Sequence, residues 1–479
     1  MNYSIIRYIT GWVLKFEAAF LCLPALVGII YHETDSISYF GTAAICLVLG
    51  VLLTLKKPTS RSLYSREGFV IVALCWTVMS LFGALPFVFS GDIPSYVDAF
   101  FETVSGFTTT GASILTDVEV LSHANLFWRS FTHWIGGMGV FVFILAITPL
   151  LGGSTMTLMK AESPGPSVDK LVPKLKDTSI ILYGLYIFLT ALLIIILIIL
   201  GMPVFEAFCT GFGTTGTGGF GIKNDSIGSY SPAIQNTVTI FMIMSGINYS
   251  MFFILLRRKW KQVFSFEEVW WYLGIIAVTG GIIFSNIREM FPTAGEGLRH
   301  TFFQIGSVIT TTGYSTTDFN RWPELSKSCL VLLMFIGACA GSTGGGIKVS
   351  RILILIKSIR KEIATIAHPN QVSKIRLNGH VIAEDTIRST NAYMAIYFVM
   401  MSLSVLLLSI DGYDFTTNVT AVIASINNIG PGLESVGPFG NYAFFSPFSK
   451  IILIFNMLAG RLELLPMLVL FSPACWRKR

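Results

Sequence analysis

The sequence predicts an all-α polytopic membrane protein: four helix–re-entrant pore loop–helix repeats around one pore, plus an N-terminal pair of transmembrane helices, about ten spans in all. Three observations predict it. Only 13% of the 479 residues are charged against 53% hydrophobic, with a mean hydropathy of +0.69. A soluble domain carries about 25% charged residues, so a soluble globular enzyme is excluded. Ten stretches are apolar over roughly the 20 residues that a membrane helix needs. Between alternate stretches lie four segments of one plan, too apolar for solvent loops and too short to cross.

The candidate spans are 11–31, 38–55, 68–89, 125–151, 179–200, 233–256, 269–286, 326–357, 390–410 and 447–472. They divide the chain into an N-terminal two-helix membrane domain (1–60) and four pore repeats, 61–160, 161–262, 263–375 and 376–479. An even number of spans puts both ends on one side, and the first span is expected to serve as its own targeting signal. That side carries 25 of the 33 Lys and Arg, in segments such as Lys56–Arg66, Lys160–Lys176, Lys348–Arg388 and Arg477–Arg479. The positive-inside rule makes it cytoplasmic. The outer segments hold 16 of the 27 acids and seven bases, a balance that draws cations, although the positive-inside rule alone also leaves acids outside. The seven cysteines are scattered without a C-x-x-C pair, which reads as buried thiols rather than a disulfide framework or zinc site.

The four outer segments are VDAFFETVSGFTTTGAS, FEAFCTGFGTTGTGGFG, LRHTFFQIGSVITTTGYST and FTTNVTAVIASINNIGPGL, centred on Gly111, Gly219, Gly313 and Gly430. The glycines are 108, 94 and 117 residues apart, a fourfold internal repeat. Extended backbone at membrane depth survives only where protein buries it or it lines a water-filled path. Glycine permits unusual backbone angles, and threonine adds a hydroxyl to carbonyls turned toward an ion. Each half-span before a glycine is expected to be a pore helix whose partially negative C-terminal end favours a cation. The second loop, Thr217-Gly218-Gly219-Phe220-Gly221, matches the potassium filter T-V-G-Y-G at four positions with Phe for Tyr. The predicted potassium-binding filter is Thr109, Thr110 and Gly111; Thr217, Gly218 and Gly219; Thr311, Thr312 and Gly313; and Asn428, Ile429 and Gly430.

The eighth span is interrupted by Gly341-Ser342-Thr343-Gly344-Gly345-Gly346, and successive glycines cost a helix about 1 kcal/mol each relative to alanine. The span should break into two helices around a loop. A phosphate-binding P-loop fails on its pattern, because Ile347 separates Gly346 from Lys348. Arg461 lies inside the last span with Glu463 two residues on, too near for the pair to face each other on a helix. Its charge points either to the ion path or to a salt bridge with another helix. His123, His133 and His300 read as packing or capping residues. Glu102, Glu206 and Glu296 read as residues preceding the pore helices, placed to cap them or to gather ions. Lys223, a cation beside a cation loop, has no explanation in the sequence.

With the four loops, the run Gly337–Lys348, the ending Gly460-Arg461-Leu462-Glu463-Leu464-Leu465-Pro466 and Phe471–Trp476, nearly the whole chain resembles the Trk/Ktr/HKT superfamily. Within it, the chain is most similar to the pore subunits of bacterial Trk potassium uptake systems. The resemblance implies a multi-pass protein of the bacterial inner membrane with one pore per chain, K⁺ as transported ion, and a homodimer. It implies that residues 341–346 with Lys348 and Arg461 form a gate beneath the filter. It further implies a cytoplasmic ring of nucleotide-binding domains of TrkA type as partner, no nucleotide site in this chain itself, membrane lipid around it and no nucleic acid. In plant relatives, serine at the first filter glycine goes with sodium; all four are glycine here, which favours potassium, while Ala112 and Pro431 in place of the aromatic of the other loops make the ring unequal. The alternative is a Na⁺- or H⁺-coupled symporter, whose usual mark is two discontinuous segments in inverted halves rather than four like-oriented loops. An enzyme would need a nucleophile and base together, and nothing in the sequence pairs Ser105 or Ser342 with His133.

Overall fold

The structure, a computed structural model, describes residues 1–58, 65–139, 175–368 and 374–476. The end of the fourth candidate span (140–151), most of the basic segment Lys160–Lys176 and the tail Arg477–Arg479 lie outside the described residues. The first two helices, α1 (Tyr3–Ile30) and α2 (Ser36–Thr54), form an antiparallel hairpin. The Asn2 side chain starts α1 by accepting the Ile5 N–H. Gly11 and Gly50 let the two backbones touch: a Cβ on Gly50 would sit 2.8 Å from the Gly11 carbonyl oxygen. Ile45, Val48 and Leu52 of α2 face outward, an apolar surface suited to lipid.

Four units of similar plan follow. The first is α3 (Ser65–Gly83, continued by Leu85–Ser90), the short α4 (Tyr96–Phe107), a loop, and α5 (His123–Met138). The second is α6 (Leu175–Ile199), α7 (Val204–Gly216), α8 (Pro232–Ser245) and α9 (Tyr249–Leu256). The third is α10 (Glu267–Ile287), α11 (Ala294–Ile309), α12 (Glu324–Ile336) and α13 (Val349–Ala367). The fourth is α14 (Glu384–Leu408), α15 (Phe415–Ile426), α16 (Pro447–Arg461) and α17 (Leu465–Leu470). Among the described residues the only strands are a two-stranded hairpin, Arg376–Leu377 with His380–Val381. The all-α membrane expectation is borne out.

The short helices α4, α7, α11 and α15 have 12 to 16 residues. At 1.5 Å per residue they reach about 18–24 Å, less than the roughly 30 Å of a bilayer core. Ser95, Thr293 and Asp414 begin three of them by accepting an N–H of the first turn. Serines at 122, 231 and 446 do the same for α5, α8 and α16. An aromatic seam joins the first two units, with Phe131 and Trp134 of α5 each 5.6 Å from Phe212 of α7.

Six described helices are long and apolar enough to cross a membrane, and seven if α8 and α9 count as one bent span. The shortfall from ten falls on the helices that follow the loops. The helices α8 and α9 meet at 94° across 246–248, a break the sequence reading did not anticipate. The eighth candidate span is cut into α12 and α13 by the loop 337–348, as its glycines predict, and α16 gives way to α17 across 462–464, where Glu463 and Leu464 have positive φ. The breaks satisfy one another. Cys339 N–H donates to Gly246 O (3.0 Å) and Tyr249 N–H to Gly341 O (3.1 Å), so the groups freed where α8 ends are met by the loop after α12.

Candidate cation site

Each short helix ends in the same way. Thr109, Thr217, Thr311 and Asn428 all sit in the left-handed region, at φ 54° to 58°. Two residues later Gly111, Gly219, Gly313 and Gly430 do so again, at 80° to 96°. At every end a 6→1 bond closes the helix: Thr110 N–H to Ser105 O, Gly218 to Gly213, Thr312 to Ser307 and Ile429 to Ala424, at 2.8–2.9 Å. Four non-glycine residues in a region that is uncommon for them, at equivalent positions, mark strain held by the surroundings and concentrated at a working site. The loops are therefore not the plain extended strand expected from the sequence; their backbone turns at every second residue.

That turning leaves carbonyls without donors. Among the described residues, nothing donates to the carbonyls of residues 109, 110, 217, 218, 311, 312, 428 or 429, all of them buried. The loops also close on each other in order. A Cβ on Gly111 would lie 2.2 Å from Gly218 O, on Gly219 1.9 Å from Thr312 O, on Gly313 2.2 Å from Ile429 O, and on Gly430 2.6 Å from Thr110 O. Each glycine faces the carbonyl before the next loop's glycine, and the fourth returns to the first, which is a closed ring. All four glycines line one outward cavity of about 140 Å³.

The inequalities among the loops have local causes. Gly218 stands where the other loops have Thr110, Thr312 and Ile429, because a side chain there would run into the His133 ring, 2.1 Å from a Cβ. His133 is buried between two loops: Nδ1 lies 2.8 Å from Gly106 O, and Nε2 accepts the Phe220 N–H at 3.1 Å. A carbonyl only accepts, so the ring is the neutral Nδ1–H form. The shared Thr-Thr-Thr of loops one and three pairs the outer two hydroxyls, Thr108 with Thr110 and Thr310 with Thr312, each at 2.8 Å. Asn428 Nδ2 donates to Thr110 Oγ1 (3.0 Å) and Met457 O (2.9 Å). Among the described residues, Thr109 Oγ1 and Asn428 Oδ1 are left buried without a donor.

Glu102 is a correction. It lies inside α4 rather than before it, is fully buried, and caps nothing at the N-terminus. It accepts from Arg129 Nε (2.8 Å) and from Ile114 N–H (3.0 Å) at the exit of loop one. Arg129 in turn donates to Gly221 O (3.2 Å) and lies 4.2 Å from the Phe220 ring, bracing the exit of loop two. Nothing in the sequence singled out Arg129. Glu206 and Glu296 also lie inside their helices rather than before them, but in the first turn, where an acid complements the N-terminal end. Lys223 now has partners: the Tyr230 ring at 4.2 Å and Glu206 at 3.8 Å. Further out, the Asn224 side chain ties Asp117 and holds its carboxyl below the usual carboxylate range, so this acid at the outer mouth stays ionised.

The loop 337–348 lies directly against the inner side of the ring. Gly345 N–H donates to Thr311 Oγ1 at 2.6 Å. Cβ atoms on Gly344 and Gly345 would come within 2.8 Å of Thr310 O and 2.6 Å of Asn427 O. Buried charges hold the loop. Glu268 Oε1 accepts from Ala340 N–H (2.7 Å) and Ser350 N–H (2.9 Å), and Lys348 Nζ bonds Gly344 O. Arg461, at the end of α16, donates to Thr343 O (3.0 Å) and to Gly136 O, joining the last unit to the loop and to the first unit. Its neighbour Glu463 pairs instead with Arg351. The structure thus brings together every predicted filter residue and every predicted gate residue; it adds Glu268, Arg129 and His133.

A many-helix membrane protein with a closed ring of donor-free carbonyls belongs to the ion transporters and not to the enzymes. The chain belongs to the TrkH family. The family model, described as a cation transport protein, matches residues 36–276 and 263–478. The Trk system potassium uptake protein TrkH of Salmonella typhimurium is 38% identical, with both chains covered in full. TrkG of Escherichia coli, also named a Trk system potassium uptake protein, is 34% identical over all of both chains. The crystal structure of the potassium transporter TrkH from Vibrio parahaemolyticus superposes with a TM-score of 0.87 at 30% identity, again over both whole chains. The chain is thus a multi-pass bacterial membrane protein of a transporter family.

Proposed function

We propose that this chain is the potassium-translocating subunit of a Trk-type uptake system, a gated, channel-like path through the bacterial inner membrane. The observation that carries the reading is the ring of eight buried carbonyls without donors. A buried carbonyl left unpaired costs free energy, and a dehydrated cation on the ring axis supplies positive charge to all four loops at once. Residues 109–111, 217–219, 311–313 and 428–430 are the filter, with the C-terminal ends of four short helices adding negative potential. The four units of the fold are then the pore repeats, with residues 1–60 as an added two-helix domain.

Residues 341–346, Lys348 and Arg461 are the gate. The loop competes with the innermost ion for an oxygen, because Gly345 N–H already occupies Thr311 Oγ1. The excess of Lys and Arg in the inner segments supports cytoplasmic termini and contact with lipid headgroups. In this reading two copies pair, and a separate cytoplasmic nucleotide-binding ring of TrkA type releases the gate. The test is Rb⁺ uptake into liposomes holding the purified protein, driven by a K⁺ gradient alone, with Na⁺ as competitor and Gly313→Ser alongside. Flux without a Na⁺ or H⁺ gradient, with weaker K⁺/Na⁺ discrimination in the variant, is the expected result. Flux that requires a second ion gradient would overturn the channel reading in favour of symport.

A further inference from the structure

The outer edge of the ring is not fourfold. Among the described residues, the carbonyls of Gly111, Gly219 and Gly313 receive no hydrogen bond, whereas Gly430 O accepts from the Tyr442 hydroxyl at 2.7 Å. Tyr442 is 2% exposed and fixed on several sides. Its ring packs 5.6 Å from Phe101 and 6.0 Å from Phe445, and its N–H donates to Ser113 O at 2.8 Å. It therefore ties loop four to the exit of loop one, and it lines the outer cavity with the four glycines.

Loops two and three are steadied one residue further on. Phe220 N–H is held by His133, and Tyr314 O accepts from Ser307 Oγ at 2.6 Å. Loop four has Pro431 after its glycine, which offers no N–H, and there the anchor falls on the glycine carbonyl itself. The positive end of an O–H dipole on that oxygen opposes a cation beside it.

We propose that Tyr442 is a positioning residue that sets the affinity of the outer end of the filter by withholding one of its four glycine carbonyls, an inference that rests on the filter reading above. Three free carbonyls make a weaker outer site than four, and a weak site at the mouth lets ions enter without being trapped. Removing the hydroxyl returns the fourth ligand while Phe keeps the ring contacts and the backbone bond to Ser113.

The experiment is Rb⁺ influx from the outer face into proteoliposomes, for the wild type, Tyr442→Phe and Gly219→Ser. In Tyr442→Phe the half-saturating Rb⁺ concentration is expected to fall about two- to tenfold, the range one net hydrogen bond supports, with no gain in maximal rate. Thermal-shift titration of the purified proteins with Rb⁺ reads the same affinity without flux, so a poorly conducting variant is still informative. An unchanged half-saturation and titration, with Gly219→Ser altering K⁺/Na⁺ discrimination, would overturn the role of Tyr442 and leave the filter standing. If neither substitution changes ion dependence, the filter reading falls and this inference with it.

Discussion

The ring of loops and the loop beneath it are built on opposite principles. The ring uses one backbone solution four times, a capped helix end, a left-handed Thr or Asn and a left-handed glycine, and its closures are contacts of neutral backbone on neutral backbone. The loop 337–348 occurs once, and side-chain charges hold it: Glu268 and Arg461 from distant elements and its own Lys348. A ring that coordinates an ion by geometry gains from rigidity and from symmetry. A segment that must leave its place gains from discrete bonds that can be exchanged. Buried charges are costly in a membrane protein, and here they gather on the loop proposed as the gate.

The contrast predicts that a change in the ring destroys and a change under it unlocks. The largest effect is expected for Gly219→Ala. Its Cβ would sit 1.9 Å from Thr312 O at φ +82°, so both the neighbouring loop and the backbone angle forbid it. Left-handed backbone alone costs about 1–2 kcal/mol for an L-residue. K⁺/Na⁺ discrimination should be lost, the Rb⁺ flux that remains should be strongly reduced, and the thermal midpoint of the purified protein should fall; a variant that still conducts selectively would break the ring reading. Next comes Glu268→Ala, which removes a charged acceptor of two N–H groups, Ala340 in the loop and Ser350 in the first turn of α13. Hydrogen bonds to charged groups contribute about 1.5–3 kcal/mol each, so a closed state loosened by one of them should leak at least about tenfold more. Basal Rb⁺ flux without any cytoplasmic partner reads this directly, and unchanged basal flux in a well-folded variant would remove the anchoring role.

The same contrast decides what could be read from the sequence. The ring was legible because a φ of 80° to 96° favours glycine, and four glycines recur in matched contexts at intervals of about a hundred residues. The break at 337–348 was legible for a similar reason, since consecutive glycines forbid a helix. The supports were not. Glu268 reaches Ala340 across 72 residues and Arg129 reaches Gly221 across 92. An acid or arginine in an apolar span announces that a partner exists without naming it. Glu102 was misplaced because its sequence position near a helix start hid its burial against Arg129. The bend at 246–248 was missed because a single glycine followed by Ile and Asn is compatible with a continuous span; only the bonds of Gly246 and Tyr249 to the neighbouring loop explain it.

A smaller and sharper test lies at the contact between the two regions. Thr311→Val keeps the shape of the side chain and removes the oxygen that Gly345 N–H occupies at 2.6 Å. The other three loops keep their left-handed residues and their donor-free carbonyls, so the ring should survive. One net hydrogen bond is worth about 0.5–1.5 kcal/mol, which sets a two- to tenfold change in basal flux or in half-saturating Rb⁺ as the expected scale. A loss of K⁺/Na⁺ discrimination like that of Gly219→Ala would mean that the hydroxyl serves the ring and not the loop.

The smallest effect is expected at the outer mouth, where Lys223 lies beyond the second loop. Its ammonium is 3.8 Å from Glu206 and its side chain is 33% exposed. Exposed ion pairs contribute about 0–1 kcal/mol, and salt at 0.15 M screens them beyond about 8 Å. Lys223→Gln therefore removes one positive charge from a cation entrance without disturbing the ring, and its effect must be electrostatic if it has one. Rb⁺ influx at low ionic strength should rise by less than about twofold, and the gain should disappear as an impermeant salt is added. A salt-independent change of similar size would place Lys223 with the supports of loop two, through Glu206 and the Tyr230 ring, and would extend the rigid ring one layer further out.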